Sequence, residues 1–183
     1  MEFIEVIKSR QSIRNFLDKP IPENILGEIF EAGRLAPSAQ NRQCWQYIAV
    51  NDKQIIKALA LKSGMIGKVN FFIKDAPLIL IATANPKDSI VMNNQHYYLV
   101  DVAISFQQMM LTAWNYGIGS CWLAAFNESK VREILNIPKD IKIIALSPFG
   151  YPKKKNIYTS AVSLFAKSSK RKTLEKIIHW NQW

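Results

Sequence analysis

The sequence is poor in the residues that most often bind metals, form disulfides or act as general acids and bases. Its 183 residues include two cysteines, Cys44 and Cys121, and two histidines, His96 and His179. The cysteines form no CxxC pair, and the histidines stand at no ligand spacing such as HExxH. Two thiols cannot build a four-ligand zinc site. No Ser/His/Asp or Cys/His arrangement stands out either. We expect both thiols to be reduced and buried.

Long apolar runs are also absent. The run from Pro77 to Ala84 is among the longest, and it is too short to span a bilayer. The acidic start, Met1 to Glu5, does not have the pattern of a signal peptide. We therefore expect a cytoplasmic protein with no membrane partner. Because 49% of the residues are apolar, we expect one domain over residues 1–183 with a substantial core.

Acidic residues are few, with 14 Asp and Glu against 24 Lys and Arg, and the formal net charge is +10. Such a balance is compatible with a nucleic-acid partner. The lysines are spread out, however, and the one dense run is Lys153 to Lys155. No interleaving of aromatic and basic residues marks a single-strand groove. We expect a solvated basic surface and no nucleic-acid partner, with some of the charge serving an anionic cofactor and substrate. A basic nucleic-acid-binding domain remains the alternative from another class.

Hydrophobic periodicity and the prolines and glycines predict an alternation of helices and strands. The helix predicted over residues 92–116 is the longest, and it carries apolar residues on more than one stripe, so it should be buried on most sides. Helices are predicted over 2–9, from Pro22 to a stop before Pro37, over 52–61, 92–116, 128–135 and 173–179. Strands are predicted over 45–50, 78–82 and 141–146, with a short strand or extended loop over 121–125 and a closing turn over 149–152.

A group of cations and a hydroxyl follows the first helix. Arg10, Ser12 and Arg14 lie two residues apart, so an extended chain would point them to the same side. Guanidinium groups and a hydroxyl suit a terminal phosphate. Arg171 could close the site from the other end of the chain. Taken alone, the pattern is more typical of a solvated basic turn.

A second group follows the second helix, over Pro37 to Trp45. Pro37 and Ser38 sit where a helix ends, so nearby backbone groups are free to bond a ligand. The Asn41 amide can donate and accept at once. These features suit the polar edge of a planar ring, although an ordinary capped loop would also explain them. A third stretch, Gly117 to Ala124, is not a dinucleotide fingerprint, because a helix precedes it and its third glycine position holds Trp122.

Together and in this order, the three stretches resemble the nitroreductase-like FMN-dependent oxidoreductase family, over essentially the whole chain from Phe3 to His179. The resemblance implies an α+β, nitroreductase-like fold with a central, mostly antiparallel sheet flanked by helices and a long buried central helix. It also implies FMN as cofactor and NADH or NADPH as electron donor. The chain departs from the family pattern at Gln11, where a second arginine is usual, and at Cys44, where proline is common.

The resemblance also implies roles for individual residues. The phosphate would be held by Arg10, Ser12, Arg14 and Arg171. The ribityl chain and ring would be held by Pro37, Ser38, Ala39 and Asn41. The reactive N5 side would be lined by the backbone after the glycines, at Trp122, Leu123 and Ala124. Asn70, and less directly Lys68, would reach the pyrimidine edge. No catalytic side chain and no metal are implied, because the flavin carries the chemistry.

The function implied by the resemblance is a ping-pong redox cycle. Hydride passes from NAD(P)H to flavin N5 and then to an electron-poor small molecule, such as a nitroaromatic or a quinone. Family members are homodimers with FMN between the subunits, and the apolar surface of the long helix agrees with such an assembly. A flavin-binding protein of the same fold with divergent or no turnover chemistry is the alternative within the family.

Overall fold

A fully buried strand, Leu78–Ala84, runs through the middle of the protein. The structure is a computed structural model and describes residues 1–64, 70–153 and 171–183. Side chains alternate along this strand between two core clusters, with Leu80 and Ala82 in one and Ile79 and Ile81 in the other. A continuous apolar run is typical of a strand covered on both faces, so this prediction is confirmed.

The strand belongs to a four-stranded antiparallel sheet. In chain order the strands are β1 (Trp45–Val50), β2 (Leu78–Ala84), β3 (Val91–Met92), β4 (Gln95–His96), β5 (Gly119–Ser120) and β6 (Lys142–Gly150). The sheet has the order β1-β2-β6-β5, while β3 and β4 form a separate hairpin. Ile81 of β2 lies opposite Ile48 of β1 and Leu146 of β6, so each partner strand extends the central apolar layer.

Helices cover both faces of the sheet. They are α1 (Phe3–Ser9), α2 (Glu23–Arg34), α3 (Lys53–Lys62), α4 (Tyr97–Asn115) and α5 (Glu128–Leu135). One core cluster joins the sheet to α2 and α4, and the other joins it to α3 and α5. The α2 and α4 helices pack closely at Gly33, where a Cβ atom would collide with the side chain of Met109. This arrangement agrees with the predicted α+β fold.

The long helix begins five residues later than predicted. Residues 91–96 form the β3–β4 hairpin instead, and Asn93 and Asn94 adopt positive φ angles of 52° and 60° at its turn. A two-residue turn with both residues in the left-handed region matches the twist of an antiparallel pair. The apolar pattern of Val91 and Met92 therefore belongs to a strand and not to the first turn of α4.

Three other predicted elements differ in extent. The C-terminal helix is one short 3-10 turn, Leu174–Lys176, and its apolar side chains are exposed. A helix depends on burying an apolar face, and here Leu174, Ile177 and Ile178 are each at least half exposed. Strand β6 runs on to Gly150, so the turn predicted at residues 149–152 is extended chain. The extended segment predicted at 121–125 pairs with the sheet only at Leu123, after the short strand β5.

Helix α4 is buried along one side and exposed along another. Val102, Phe106 and Met109 are among its fully buried residues, whereas Leu99 and Ile104 are among its exposed apolar ones. The prediction of burial on most sides is therefore met on one side only in the single chain. Within the described residues, no helix has the length and apolarity needed to cross a membrane.

Candidate functional site

The segment that carries the basic motif lies along the outer edge of the sheet. The Ile13 N–H donates to the Ser120 carbonyl at 2.9 Å, and Ser12 forms a parallel bridge with Ser120. Ile13 is buried and packs so closely that a Cβ atom on Gly119 would collide with its side chain. Because side chains alternate along an extended segment, Ser12 and Arg14 project away from the side on which Ile13 is buried.

The charges of this segment act on one buried group. Burial raises the pKa of the Cys121 thiol, while the positive charge of Arg14, the Ser12 hydroxyl and the charge of Arg10 act against that rise. Ser12 pairs with Ser120, and Arg10 and Arg14 lie two residues on either side of Ser12, so all three predicted phosphate ligands lie near the end of β5. The sequence indicated their common side, and the structure brings them together.

The second motif forms a tight loop that contains several unusual backbone conformations. Gln40, Asn41 and Gln43 have φ angles of 55°, 53° and 50°, which side chains other than glycine rarely adopt. The loop is braced internally. The Gln43 N–H donates to the Ser38 hydroxyl at 3.0 Å, and the Gln43 side-chain amide donates to the Asn41 side-chain oxygen at 3.1 Å. Pro37 is exposed at the start of the loop.

A carboxylate that the motifs did not include supports this loop. Asp101 in α4 is 2% exposed, and its Oδ1 atom accepts the Ala39 N–H at 3.0 Å. Its Oδ2 atom lies 3.8 Å from the Cys44 sulfur, and burial together with the Asp101 charge raises the pKa of this thiol, which keeps it protonated as a donor. The signal in the sequence is a lone acid between Val100 and Val102 in an apolar helix.

The third stretch passes between α4 and β6. Trp122 packs against Phe106 of α4, with ring centroids 5.3 Å apart and planes inclined by 58°. Leu123 exchanges two backbone hydrogen bonds with Leu146, at 2.8 and 3.1 Å. Ala124 is exposed. Contacts with α4 and β6 therefore fix Trp122 and Leu123 in place, and Ala124 is accessible to solvent.

Asn70 makes a contact that the sequence did not indicate. It is 2% exposed, and its side-chain amide donates to the Ala125 carbonyl at 2.9 Å. Asn70 therefore supports the backbone of the third stretch, and direct contact with a ring edge stays a prediction. Lys68 lies outside the described residues. Arg171 is exposed in the described C-terminal stretch, and its part in a phosphate site also stays a prediction.

Helix α4 connects the three segments. Asp101 bonds the loop after α2, Phe106 packs against Trp122, and the indole N–H of Trp114 donates to the Ser9 hydroxyl at 2.9 Å, next to Arg10. One rigid helix therefore fixes the positions of all three parts of the candidate site.

A cavity of about 980 Å³ lies elsewhere, beside the ends of β1 and β2. It is lined by apolar residues such as Phe30 and Ile56 and by lysines such as Lys57, and it includes none of the twelve predicted site residues.

The sequence profile of the nitroreductase family matches residues 7–70 and 67–151 of this chain. These stretches include well over half of the residues, and the chain belongs to the nitroreductase family. The crystal structure of a nitroreductase family protein from Clostridium novyi NT is 35% identical, with a TM-score of 0.79, and the match covers 85% of this chain and 89% of that one.

Two further relatives match nearly the whole chain. The structure of an FMN-dependent nitroreductase from Clostridium difficile R20291 is 25% identical, with a TM-score of 0.78, over 98% of this chain and 99% of that one. An NADH dehydrogenase from Thermus thermophilus is 27% identical over 202 residues, covering 93% of this chain and 92% of the relative. The predicted nitroreductase-like fold and family are thereby confirmed.

Proposed function

We propose that the protein is an FMN-dependent oxidoreductase that transfers hydride from NADH or NADPH to an electron-poor small molecule, such as a nitroaromatic or a quinone. The observation that carries this proposal is the meeting of Arg10, Ser12 and Arg14 beside Ser120 and Cys121, in a chain of the nitroreductase family. The similar nitroreductase from Clostridium difficile is described as FMN-dependent, which supports the choice of cofactor.

The residues at this point fit the phosphate of FMN. A phosphate monoester carries close to two negative charges, and guanidinium groups bind it through charge-assisted hydrogen bonds. Arg10 and Arg14 would supply these donors and Ser12 a hydroxyl. All three side chains are only partly exposed, which limits competition from water. Arg171 would add a fourth contact from the C-terminal stretch.

The strained loop and the third stretch fit the rest of the cofactor. Pro37, Ser38, Ala39 and Asn41 would line the ribityl chain and the polar edge of the ring, with Asn70 behind the third stretch. The backbone over Trp122, Leu123 and Ala124 would face the N5 side and exclude water from one face. When bound, FMN accepts hydride at N5 and passes it on, so no protein side chain needs to act as acid, base or nucleophile.

The proposal includes a homodimer. Helix α4 exposes Leu99, Val100 and Ile104, and α1 exposes Phe3 and Ile4. Contiguous apolar surface of this kind is typical of a protein interface. In this proposal, a second chain packed against these helices would complete the cofactor site.

Steady-state kinetics test the reaction. Initial rates measured over a grid of NADH, or NADPH, and a quinone or nitroaromatic should give parallel double-reciprocal lines, because donor and acceptor use the same site in turn. Intersecting lines would contradict a ping-pong cycle. A flavin-containing protein that reduces none of these acceptors would favour the alternative of a flavin-binding protein without turnover.

A further inference from the structure

Asp101 is the one carboxylate that the described residues bury. At 2% exposure it lies in the middle of the interface between α4 and the loop after α2. A buried carboxylate is costly unless donors satisfy it. Here the donors are the Ala39 N–H, at 3.0 Å from Oδ1, and the Cys44 thiol, at 3.8 Å from Oδ2. One side chain thus binds a residue at each end of the loop from Ala39 to Cys44.

The loop needs such support because its backbone is strained. Gln40, Asn41 and Gln43 all adopt left-handed conformations, although none is glycine. Such conformations are unfavourable for residues with a side chain and persist only where surrounding contacts fix them. The hydrogen bonds between Gln43 and its neighbours Ser38 and Asn41 lie within the loop, so they cannot tie it to the fold.

We propose that Asp101 is a positioning residue for cofactor binding: it fixes the strained loop so that Ser38 and Asn41 face the cofactor. The effect on FMN binding rests on the proposed function, whereas the effect of Asp101 on the loop does not depend on it. Without the carboxylate, the Ala39 N–H would lose its acceptor and the loop would relax from its left-handed conformations. The cofactor would then pay the cost of reordering the loop on binding.

Ser105 offers a matched control. It lies one turn beyond Asp101 on the same buried side of α4, and its exposure is 0%. Its hydroxyl accepts from the Tyr47 hydroxyl at 2.7 Å and donates to the Gly33 carbonyl at 2.7 Å. Ser105→Ala therefore removes buried hydrogen bonds from the same helix without touching the loop.

The first measurement is FMN affinity, from quenching of flavin fluorescence on titration of the apoprotein. D101A should weaken FMN binding by about tenfold or more, because a buried donor is left unpaired and the loop is released. D101N should lie within about threefold of the unmodified protein, since its amide oxygen still accepts from Ala39. The FMN affinity of S105A should lie within about twofold of that of the unmodified protein, because the lost hydrogen bonds lower the stability of the fold and do not release the loop.

The second measurement needs no cofactor. Arg42 lies in the exposed part of the loop, so trypsin cleavage after Arg42 in the apoprotein reports local opening. D101A should speed this cleavage by about fivefold or more relative to cleavage after Arg34 in α2, while D101N and S105A leave the ratio unchanged. If D101A does not fold, D101S takes its place, because its hydroxyl is too short to reach the Ala39 N–H.

The outcomes separate the two proposals. If the unmodified protein binds no FMN, the proposed function fails, and the cleavage ratio alone decides the role of Asp101. Unchanged FMN affinity and cleavage in D101A would overturn the role of Asp101, as would a D101N variant as weak as D101A. Equal losses in D101A and S105A, with faster cleavage at both arginines, would mean general destabilisation and would overturn it as well.

Discussion

Among single residues, Arg14 carries the charge that acts most strongly on the buried Cys121 thiol, ahead of Arg10. In the proposed site it lies two residues after Ser12, which pairs with Ser120 at the edge of the sheet. Its side chain is only partly exposed, so its charge is less screened than that of a surface arginine.

Replacing Arg14 with alanine should weaken FMN binding by about ten- to a hundredfold, which corresponds to the loss of one hydrogen bond to a charged group. The measurement is FMN retention on gel filtration and affinity by fluorescence titration. Arg34→Ala is the control, since Arg34 is exposed and pairs with Glu31 on α2. Equal FMN retention in the two variants would remove Arg14 from the site.

The stability of the protein at high pH tests whether the Tyr47 hydroxyl is buried. Burial raises the pKa of its hydroxyl to about 12 from 10.0. Below about pH 10 both folded and unfolded Tyr47 are protonated, and the stabilisation is complete. As pH rises from about 10 through 12, the unfolded chain loses its proton first, so this stability is lost at about 1.4 kcal/mol per pH unit.

Tyr47→Phe should remove that part of the pH dependence, at the cost of about 1 kcal/mol at neutral pH for the lost bond to Ser105. Urea unfolding at about pH 9 and about pH 11.5 measures the two slopes. The difference in stability should shrink as pH rises and change sign at about pH 11, because the unmodified protein loses about 2 kcal/mol by about pH 11.5. Parallel profiles would show that the Tyr47 hydroxyl is not buried as described.

The sequence predicts part of this site at the residue scale. The two-residue spacing of Arg10, Ser12 and Arg14 is a local property, and it gave their common direction. Asp101 could not be paired with Ala39 in the same way, because the two are 62 residues apart and their contact depends on how α2 and α4 pack. The hydrogen bond from Asn70 to Ala125 was not predicted for the same reason, since the two residues are 55 positions apart.

Among the elements, strand β5 determines where the segment from Arg10 to Arg14 lies. Gly119 has no side chain, and this allows Ile13 to pack directly over the strand. The contact holds Ser12 against Ser120 through backbone pairing. Any side chain on Gly119 would move the whole segment outward.

Gly119→Ala should therefore destabilise the fold by about 1–3 kcal/mol and also weaken FMN binding, because Ile13 must shift to accommodate the added methyl group. Gly27→Ala is the matched control, since an added Cβ there meets nothing within 4 Å. In the interior of α2 it should be neutral or stabilising by up to about 1 kcal/mol. Urea unfolding and FMN titration give both readouts, and two variants that behave alike would contradict the packing described.

The elements also show where sequence patterns suffice. The run of Leu78 to Ala82 predicts a buried central strand, and the Asp52 side chain caps α3 by accepting from the Gln54 and Ile55 N–H groups. The β3–β4 hairpin was missed because its apolar residues continue the helical pattern of α4. The prediction of a C-terminal helix was wrong. Its apolar side chains are largely exposed, and a helix that short needs a buried apolar face.

At the scale of the whole molecule, helix α4 leaves apolar side chains exposed to solvent. In the proposed homodimer, a second copy of the chain covers this side of α4. The predicted cytoplasmic location neither supports nor opposes the homodimer. Two isoleucines of nearly equal exposure allow a direct comparison: Ile104 on α4 is 38% exposed and Ile55 on α3 is 37% exposed.

Ile104→Asp should convert the dimer to a monomer, because a charge would have to be buried in the interface. Ile55→Asp should leave the dimer intact, since α3 lies on the other face of the sheet. Gel filtration with light scattering measures the mass of each protein. A well-behaved monomer for the unmodified chain would contradict the homodimer.

The most direct test of the central claim is the visible absorbance spectrum of the purified protein, recorded without oxygen before and after addition of NADH or NADPH. The account predicts an oxidised-flavin spectrum that bleaches on addition of one or both donors. A flavin spectrum that persists would contradict the assigned donor. A colourless protein that takes up no added FMN would contradict the account as a whole and would favour the nucleic-acid-binding alternative.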